Sequence, residues 1–136
     1  MQIIKYSFEE HGDERGMLVA VEAMRQIPFE IKRVYYIYDT LAEVHRGSHA
    51  HKSLEQVLIC VHGSCKVLLD DGKEREEIVL CKANEGLYIS KNIWREMYDF
   101  SHDAVLLVLA SEVYREDDYI RDYHTFIDSV RQEEYL

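Results

Sequence analysis

From Ile31 to Ser111 the chain repeats one pattern: short runs of β-branched and aromatic residues, often alternating with polar ones, broken by brief turns. Ile31–Tyr38 reads as a strand with Arg33, Tyr35 and Ile37 on one face and Val34, Tyr36 and Tyr38 on the other, because successive strand side chains point to opposite faces. Further strands are predicted at Cys65–Leu69, Glu76–Leu80, Leu87–Ile89, Ile93–Phe100 and Ala104–Ser111. Turns separate them at His62–Ser64, at Asn84–Gly86 and at Asp70–Lys73, where Asp-Gly is a hairpin signal. Upstream, residues 2–8 form a weaker N-terminal strand, Gly12–Gly16 a turn, Met17–Glu22 a strand and Ile27–Phe29 a bend. After Asp117 the period changes. Tyr119/Ile120, Tyr123, Phe126/Ile127 and Val130 fall at helical spacing behind acidic residues, which predicts one C-terminal helix over 117–134, interrupted near its start. Many short strands at regular intervals predict a single all-β domain over 1–136, a sandwich or barrel carrying one helix.

The stretch Arg46–Gln56 carries the chemistry. Read as a strand running on into the apolar Val57–Val61, it places His49, His51, Ser53 and Glu55 on one inward face. Two imidazoles and a carboxylate on one face admit two readings. One is a metal site; the other is a proton-handling pair, since imidazole titrates near neutral pH. Glu55 then serves as an orienting or structural neighbour.

Composition narrows the partners. The net charge of −10 opposes a general nucleic-acid binder, which needs a basic face, but leaves room for a local anion pocket. Arg33 and Arg46 flank the apolar strands and the histidines, with Arg15, Arg95 and Arg121 as further candidates; guanidinium suits bidentate phosphate contacts. Cys60, Cys65 and Cys81 are odd in number and lack CxxC spacing, so they read as reduced core thiols. No apolar run is long enough for a membrane helix, and the N-terminus lacks the apolar region of a signal peptide, so a cytoplasmic protein without membrane contact is expected.

His49-x-His51-x3-Glu55 resembles the first motif of the cupin superfamily, small jelly-roll barrels with a metal in the mouth. Such sites add a third histidine from a later strand; Arg95 stands where it is expected, and a permanently charged guanidinium does not ligate a cation. The whole chain is similar to the WxcM-like cupin family of sugar 3,4-ketoisomerases. The runs that carry the likeness are Arg15–Ala20, Ile31–Ile37, Arg46–Lys52 with Leu54–Val57, Gly63–Cys65, Leu69–Gly72, Trp94–Met97 and Asp118–Tyr123.

The resemblance implies a metal- and cofactor-free cupin jelly-roll barrel with a C-terminal helix, forming a homodimer that exchanges its N-terminal strand. It implies conversion of dTDP-4-keto-6-deoxy-D-glucose to the 3-keto isomer through an enediol. The product would feed a PLP-dependent 3-aminotransferase that makes 3-amino-3,6-dideoxy sugars for surface glycans. Carried onto this chain, His49 and His51 are the general base and proton shuttle in either order, and Tyr35 holds a sugar oxygen or relays a proton. Arg33, Arg46 and Arg121 bind the pyrophosphate and nucleotide, and Arg15 and Arg95 lie near the sugar. Residues 15 and 95 vary in the family, which leaves the product's C4 configuration open. The alternatives are a 3,5-epimerase of the same fold, a non-catalytic sugar-binding cupin and a metal-dependent cupin dioxygenase. Epimerases pair a histidine with an aspartate, and no such pairing stands out in this sequence.

Overall fold

The alternating runs become strands of two facing antiparallel sheets. A computed structural model describes residues 1–134. One sheet joins β1 (Ile4–Ser7), β9 (Glu85–Ile89), β6 (Gln56–His62), β11 (Val105–Ala110) and β4 (Arg33–Tyr38), in that order. The other joins β12 (Tyr119–Ile120), β5 (Arg46–His51), β10 (Trp94–Tyr98), β7 (Cys65–Asp70) and β8 (Arg75–Leu80). β2 (His11–Asp13) and β3 (Gly16–Leu18) form a separate hairpin. The chain is a jelly roll of the cupin type whose sheets face one another without closing into a complete barrel.

Alternation decides what lies between the sheets. Leu58, Cys60, Leu87, Leu106 and Val108 from one sheet meet Cys65, Val67, Leu69, Leu80 and Met97 from the other, all buried. The opposite face of the second sheet is also covered. Ala50 of β5 and Trp94 of β10 pack against Ile120 and Phe126, the latter from the C-terminal helix α1 (Tyr123–Glu134). β5 is therefore held from both sides: Ala50 is clamped under the helix while its neighbours in sequence, His49 and His51, face the interior.

Three expected elements differ. The strand expected at Met17–Glu22 stops at Leu18, because it is half of an exposed hairpin rather than a core strand. The continuous His strand is two strands in different sheets; residues 52–55 turn the chain from one sheet to the other. The helix expected over 117–134 begins at Tyr123. Before it, Glu116–Asp118 form a 3₁₀ turn and Tyr119–Ile120 pair with β5, so burial alternates there: Asp118 and Ile120 buried, Arg121 exposed. Cys60 and Cys65 are buried as expected, but Cys81 is exposed at the end of β8.

Phe126 is completely buried and bridges α1 to β5 and β10. Phe126→Ala is expected to lower the unfolding free energy by about 3–5 kcal/mol, the usual cost of truncating a core aromatic. Urea unfolding followed by Trp94 fluorescence measures this, and a loss below about 1 kcal/mol would show that α1 does not secure the sheet.

Candidate active site

The two histidines owe their orientation to a break in β5. The pairing of β5 with β10 shifts register between Arg95 and Glu96, so β5 carries one extra residue. Gly47 and Ser48 both take positive φ there, +83° and +56°. A side chain at Gly47 would crowd the Arg95 carbonyl and the Met97 sulfur at 3.0 Å, so glycine suits the position on two counts. The bulge turns the Gly47 carbonyl toward His49, whose Nδ1–H donates to it at 3.0 Å. That bond leaves Nε2 as the basic nitrogen.

His51 is held differently. Its Nδ1–H donates to Asp118 Oδ2 at 3.0 Å, and its Nε2 is buried without a hydrogen-bond partner among the described residues. Asp118 comes from the 3₁₀ turn, brought into place because β12 pairs Tyr119 with His51 and Ile120 with Ala50. The other carboxylate oxygen accepts the Ser53 amide at 3.0 Å and the Ser53 hydroxyl at 2.8 Å. Burial pushes the Asp118 carboxyl up, but these bonds and the His51 ring outweigh it and hold it below its ordinary value. This is a histidine–aspartate pair, an arrangement that fixes a tautomer and stabilises an imidazolium when it forms. The members of the pair are 67 positions apart, so no local spacing in the sequence reveals it. Glu55, placed beside the histidines by the strand reading, instead accepts the Tyr88 hydroxyl; the turn after His51 takes it off their face.

Arg95 lies directly across from His49 on β10 and is 1% exposed. Its Nε and Nη2 donate to the Ile93 carbonyl at 3.2 and 2.9 Å, and Nη1 donates to the amide oxygen of Gln56. The Gln56 amide nitrogen in turn donates to the Tyr35 hydroxyl oxygen at 3.0 Å. Burial pushes Arg95 down to about 10, which still leaves it charged at neutral pH. That charge reaches both imidazoles. Burial first, and then Arg95, push His49 down to about 4. The same two causes, in that order, depress His51 against the opposing pull of Asp118. Both rings are therefore neutral at physiological pH, each with one ring nitrogen free to accept a proton.

A cavity of about 340 Å³ opens in front of this group, lined by Arg33, Tyr35, Arg46, His49, Tyr119 and Arg121, with Ile37 and Met97 as apolar walls. Arg33 stacks near the rings of Tyr35 and Tyr114, at 5.2 and 5.6 Å, and its Nε and Nη2 are buried without a partner among the described residues. Guanidinium donors left unsatisfied beside a cavity have the chemistry to receive an anion. Arg121 lies 4.2 Å over Tyr119 and forms a two-bond pair with Glu116 at 2.8 and 2.9 Å. Tyr119 also packs against both histidine rings, 4.9 and 4.4 Å away.

The structure thus brings His49, His51, Tyr35, Arg33, Arg46 and Arg121 to one place. Arg15 is not among them: it sits on the β2–β3 hairpin, exposed and bonded to Asp13 at 2.7 Å. Arg95 stands behind the histidines, its donors spent on protein oxygens rather than offered to the cavity. Asp118, Tyr119 and Gln56 were not anticipated. The alternation Asp118/Ile120 against Tyr119/Arg121 is the signal that would have exposed the short strand that carries Tyr119 and directly follows Asp118.

Two facing antiparallel sheets, a cavity with His49 on its wall and His51 oriented behind it define a small protein of the cupin fold. The chain belongs to the FdtA family (WxcM-like, C-terminal), which it matches over residues 1–131. It is 56% identical over 120 residues to the TDP-4-oxo-6-deoxy-alpha-D-glucose-3,4-oxoisomerase of Aneurinibacillus thermoaerophilus, covering 88% of this chain and 86% of that protein. A 3,4-ketoisomerase of known crystal structure from Helicobacter canadensis is 53% identical, with a TM-score of 0.94 over 96% of this chain and 98% of that one. A mutant of the 3,4-ketoisomerase from Thermoanaerobacterium thermosaccharolyticum, crystallised with TDP-4-keto-6-deoxyglucose, is 45% identical, with a TM-score of 0.94 over 96% of this chain and 94% of that one.

The depressed histidines make stability depend on pH. His49 titrates near 6.5 when unfolded and about 4 when folded, so the unfolded chain binds more protons between these values. Its contribution is fully present above pH ~6.5 and is lost as pH falls toward 4. His49→Asn should flatten the stability–pH slope in that window by up to about 3 kcal/mol in total, read by urea unfolding at a series of pH values. An unchanged slope would show that His49 is not held neutral by its surroundings.

Proposed function

We propose that this protein is a 3,4-ketoisomerase that moves the keto group of dTDP-4-keto-6-deoxy-D-glucose from C4 to C3. The carrying observation is that two imidazoles stand together, His49 on the wall of a cavity that also holds the unsatisfied Arg33 and His51 buried behind it on Asp118, since the His51–Asp118 pair alone would equally suit a 3,5-epimerase. The relatives of known activity supply the substrate class.

In this reading His49 and His51 act as base and shuttle in either order, and the base removes the C3 proton. An enediolate forms across C3 and C4, and Asp118 stabilises His51 whenever it becomes an imidazolium. A proton is delivered to C4 while the O3 proton passes to O4 through the other imidazole, leaving the ketone at C3. One proton leaves each of C3 and O3, one arrives at each of C4 and O4, and no external oxidant or reductant is consumed. Tyr35 donates its hydroxyl to a sugar oxygen. Arg33, Arg46 and Arg121 hold the pyrophosphate and nucleotide, a local cationic site on a chain of net charge −10.

We also assign a homodimer with N-terminal strand exchange. It is supported by Val34, Tyr36 and Tyr38, exposed on an edge strand, and by Met17 and Leu18, exposed on the hairpin. Such a dimer is the arrangement that would let Arg15 reach a site. The 3-keto product is the substrate a PLP-dependent 3-aminotransferase needs to make a 3-amino-3,6-dideoxy sugar. A pyrophosphate-bearing sugar does not cross a bilayer unaided, and no helix among the described residues is long and apolar enough to span one, so we place both enzymes in the cytoplasm.

NMR of the 4-keto sugar in deuterated buffer should show a 3-keto product carrying deuterium at C4. Exchange at C5 without that product would instead establish a 3,5-epimerase, and unchanged substrate a binding module. His51→Asn should lower kcat by roughly 10²–10⁴-fold, the usual contribution of a general acid–base group. Arg33→Ala should weaken dTDP binding and raise KM while leaving kcat near its original value; a fall in kcat alone would place Arg33 in the transition state.

A further inference from the structure

We infer that Gln56 is a positioning residue that points the Tyr35 hydroxyl proton into the cavity, and that buried Arg95 sets the orientation of the Gln56 amide. This rests on the isomerase reading of the cavity and adds a residue to it.

The argument is one of donors and acceptors. A guanidinium can only donate. The Gln56 side chain is 2% exposed and lies between Arg95 Nη1 and the Tyr35 oxygen, so its amide oxygen must face Arg95 and its NH₂ must face Tyr35. An inverted amide would oppose NH₂ to N–H at one end, so chemistry fixes the assignment. Tyr35 therefore receives a hydrogen bond on its oxygen at 3.0 Å. Its own proton cannot go back along that line. No protein acceptor takes the proton among the described residues, and Tyr35 lines the cavity. What remains for the hydroxyl proton is the cavity itself, where a sugar oxygen gaining negative charge would accept it.

Each link is immobile. Arg95 is clamped by two bonds to the Ile93 carbonyl, and Gln56 begins β6, pairing with Ile89 and Ala110 on either side. The arrangement is oriented before any ligand arrives, and such preorganised donors stabilise developing charge without reorganising. It also gives Arg95 a role suited to its chemistry. Arginine is a poor acid or base, but as a charged donor it can fix an amide.

Gln56→Glu tests this. The introduced carboxylate keeps Arg95 paired but offers Tyr35 an acceptor, so the hydroxyl proton should turn away from the cavity. We expect kcat to fall at least about 10-fold with KM within about 3-fold, and the Tyr35→Phe/Gln56→Glu double variant to be no slower than Tyr35→Phe alone. Losses that multiply in the double variant, or an unchanged kcat, would overturn the proposal. A second readout needs no turnover. In ¹³Cζ-tyrosine NMR, the Tyr35 signal, assigned from Tyr35→Phe, should titrate at least about one pH unit higher in Gln56→Glu than in the original chain. The same titration in Gln56→Met, which removes the donor and adds no charge, should also move upward; no movement in either variant overturns the relay. If the original chain binds dTDP but does not isomerise the sugar, the functional reading fails while these titrations still decide the relay.

Discussion

A charged guanidinium buried to 1% exposure is the constraint around which this site is built. Burying a charge costs several kcal/mol unless its donors are satisfied. Arg95 meets that demand with neutral oxygens, the Ile93 carbonyl and the Gln56 amide, rather than with a bonded carboxylate. Its field is therefore not cancelled by a bonded partner, and it adds to burial, the larger cause, in holding the two imidazoles beside it neutral. The same residue occupies the place where a metal-binding cupin would supply its third histidine. A fixed cation at that place opposes a metal ion beside the histidines.

The histidines share a strand but have different second partners. His49 leans on a backbone carbonyl offered by the bulge at Gly47 and Ser48, a neutral support. His51 leans on a carboxylate that is itself held by Ser53. A carboxylate stabilises a positive ring far better than a carbonyl does, so the two rings differ in environment without any difference in residue type. A comparable asymmetry separates the arginines. Arg121 is already bonded to Glu116 and must give up that pair, or share it, to take a phosphate, whereas Arg33 has open donors and only aromatic rings against it. Arg33 therefore has more donors open than Arg121, and no carboxylate among the described residues pairs with it.

Much of this was readable from residue order. Alternation around Tyr35 placed Arg33 and Tyr35 on one face, and spacing placed His49 with His51; both hold because a strand's two-residue period is local. The same rule failed at Glu55, where the chain turned between sheets, and over 117–122, where a helical period hid a short strand. A run of six residues with Tyr119 and Ile120 adjacent is compatible with either period, and only pairing with β5 decides it.

The sequence by itself therefore determined the strand pattern, the histidine pair, its arginines and the family, all properties carried by near neighbours along the chain. Tertiary structure alone decided that Asp118 backs His51, that Gln56 stands between Arg95 and Tyr35, that Arg95 is buried and that Arg15 lies on an outlying hairpin. Hydrogen bonds between residues 67, 39 and 21 positions apart leave no local periodicity to read. They exist because two sheets pack face to face and bring separate strands to the mouth of one cavity.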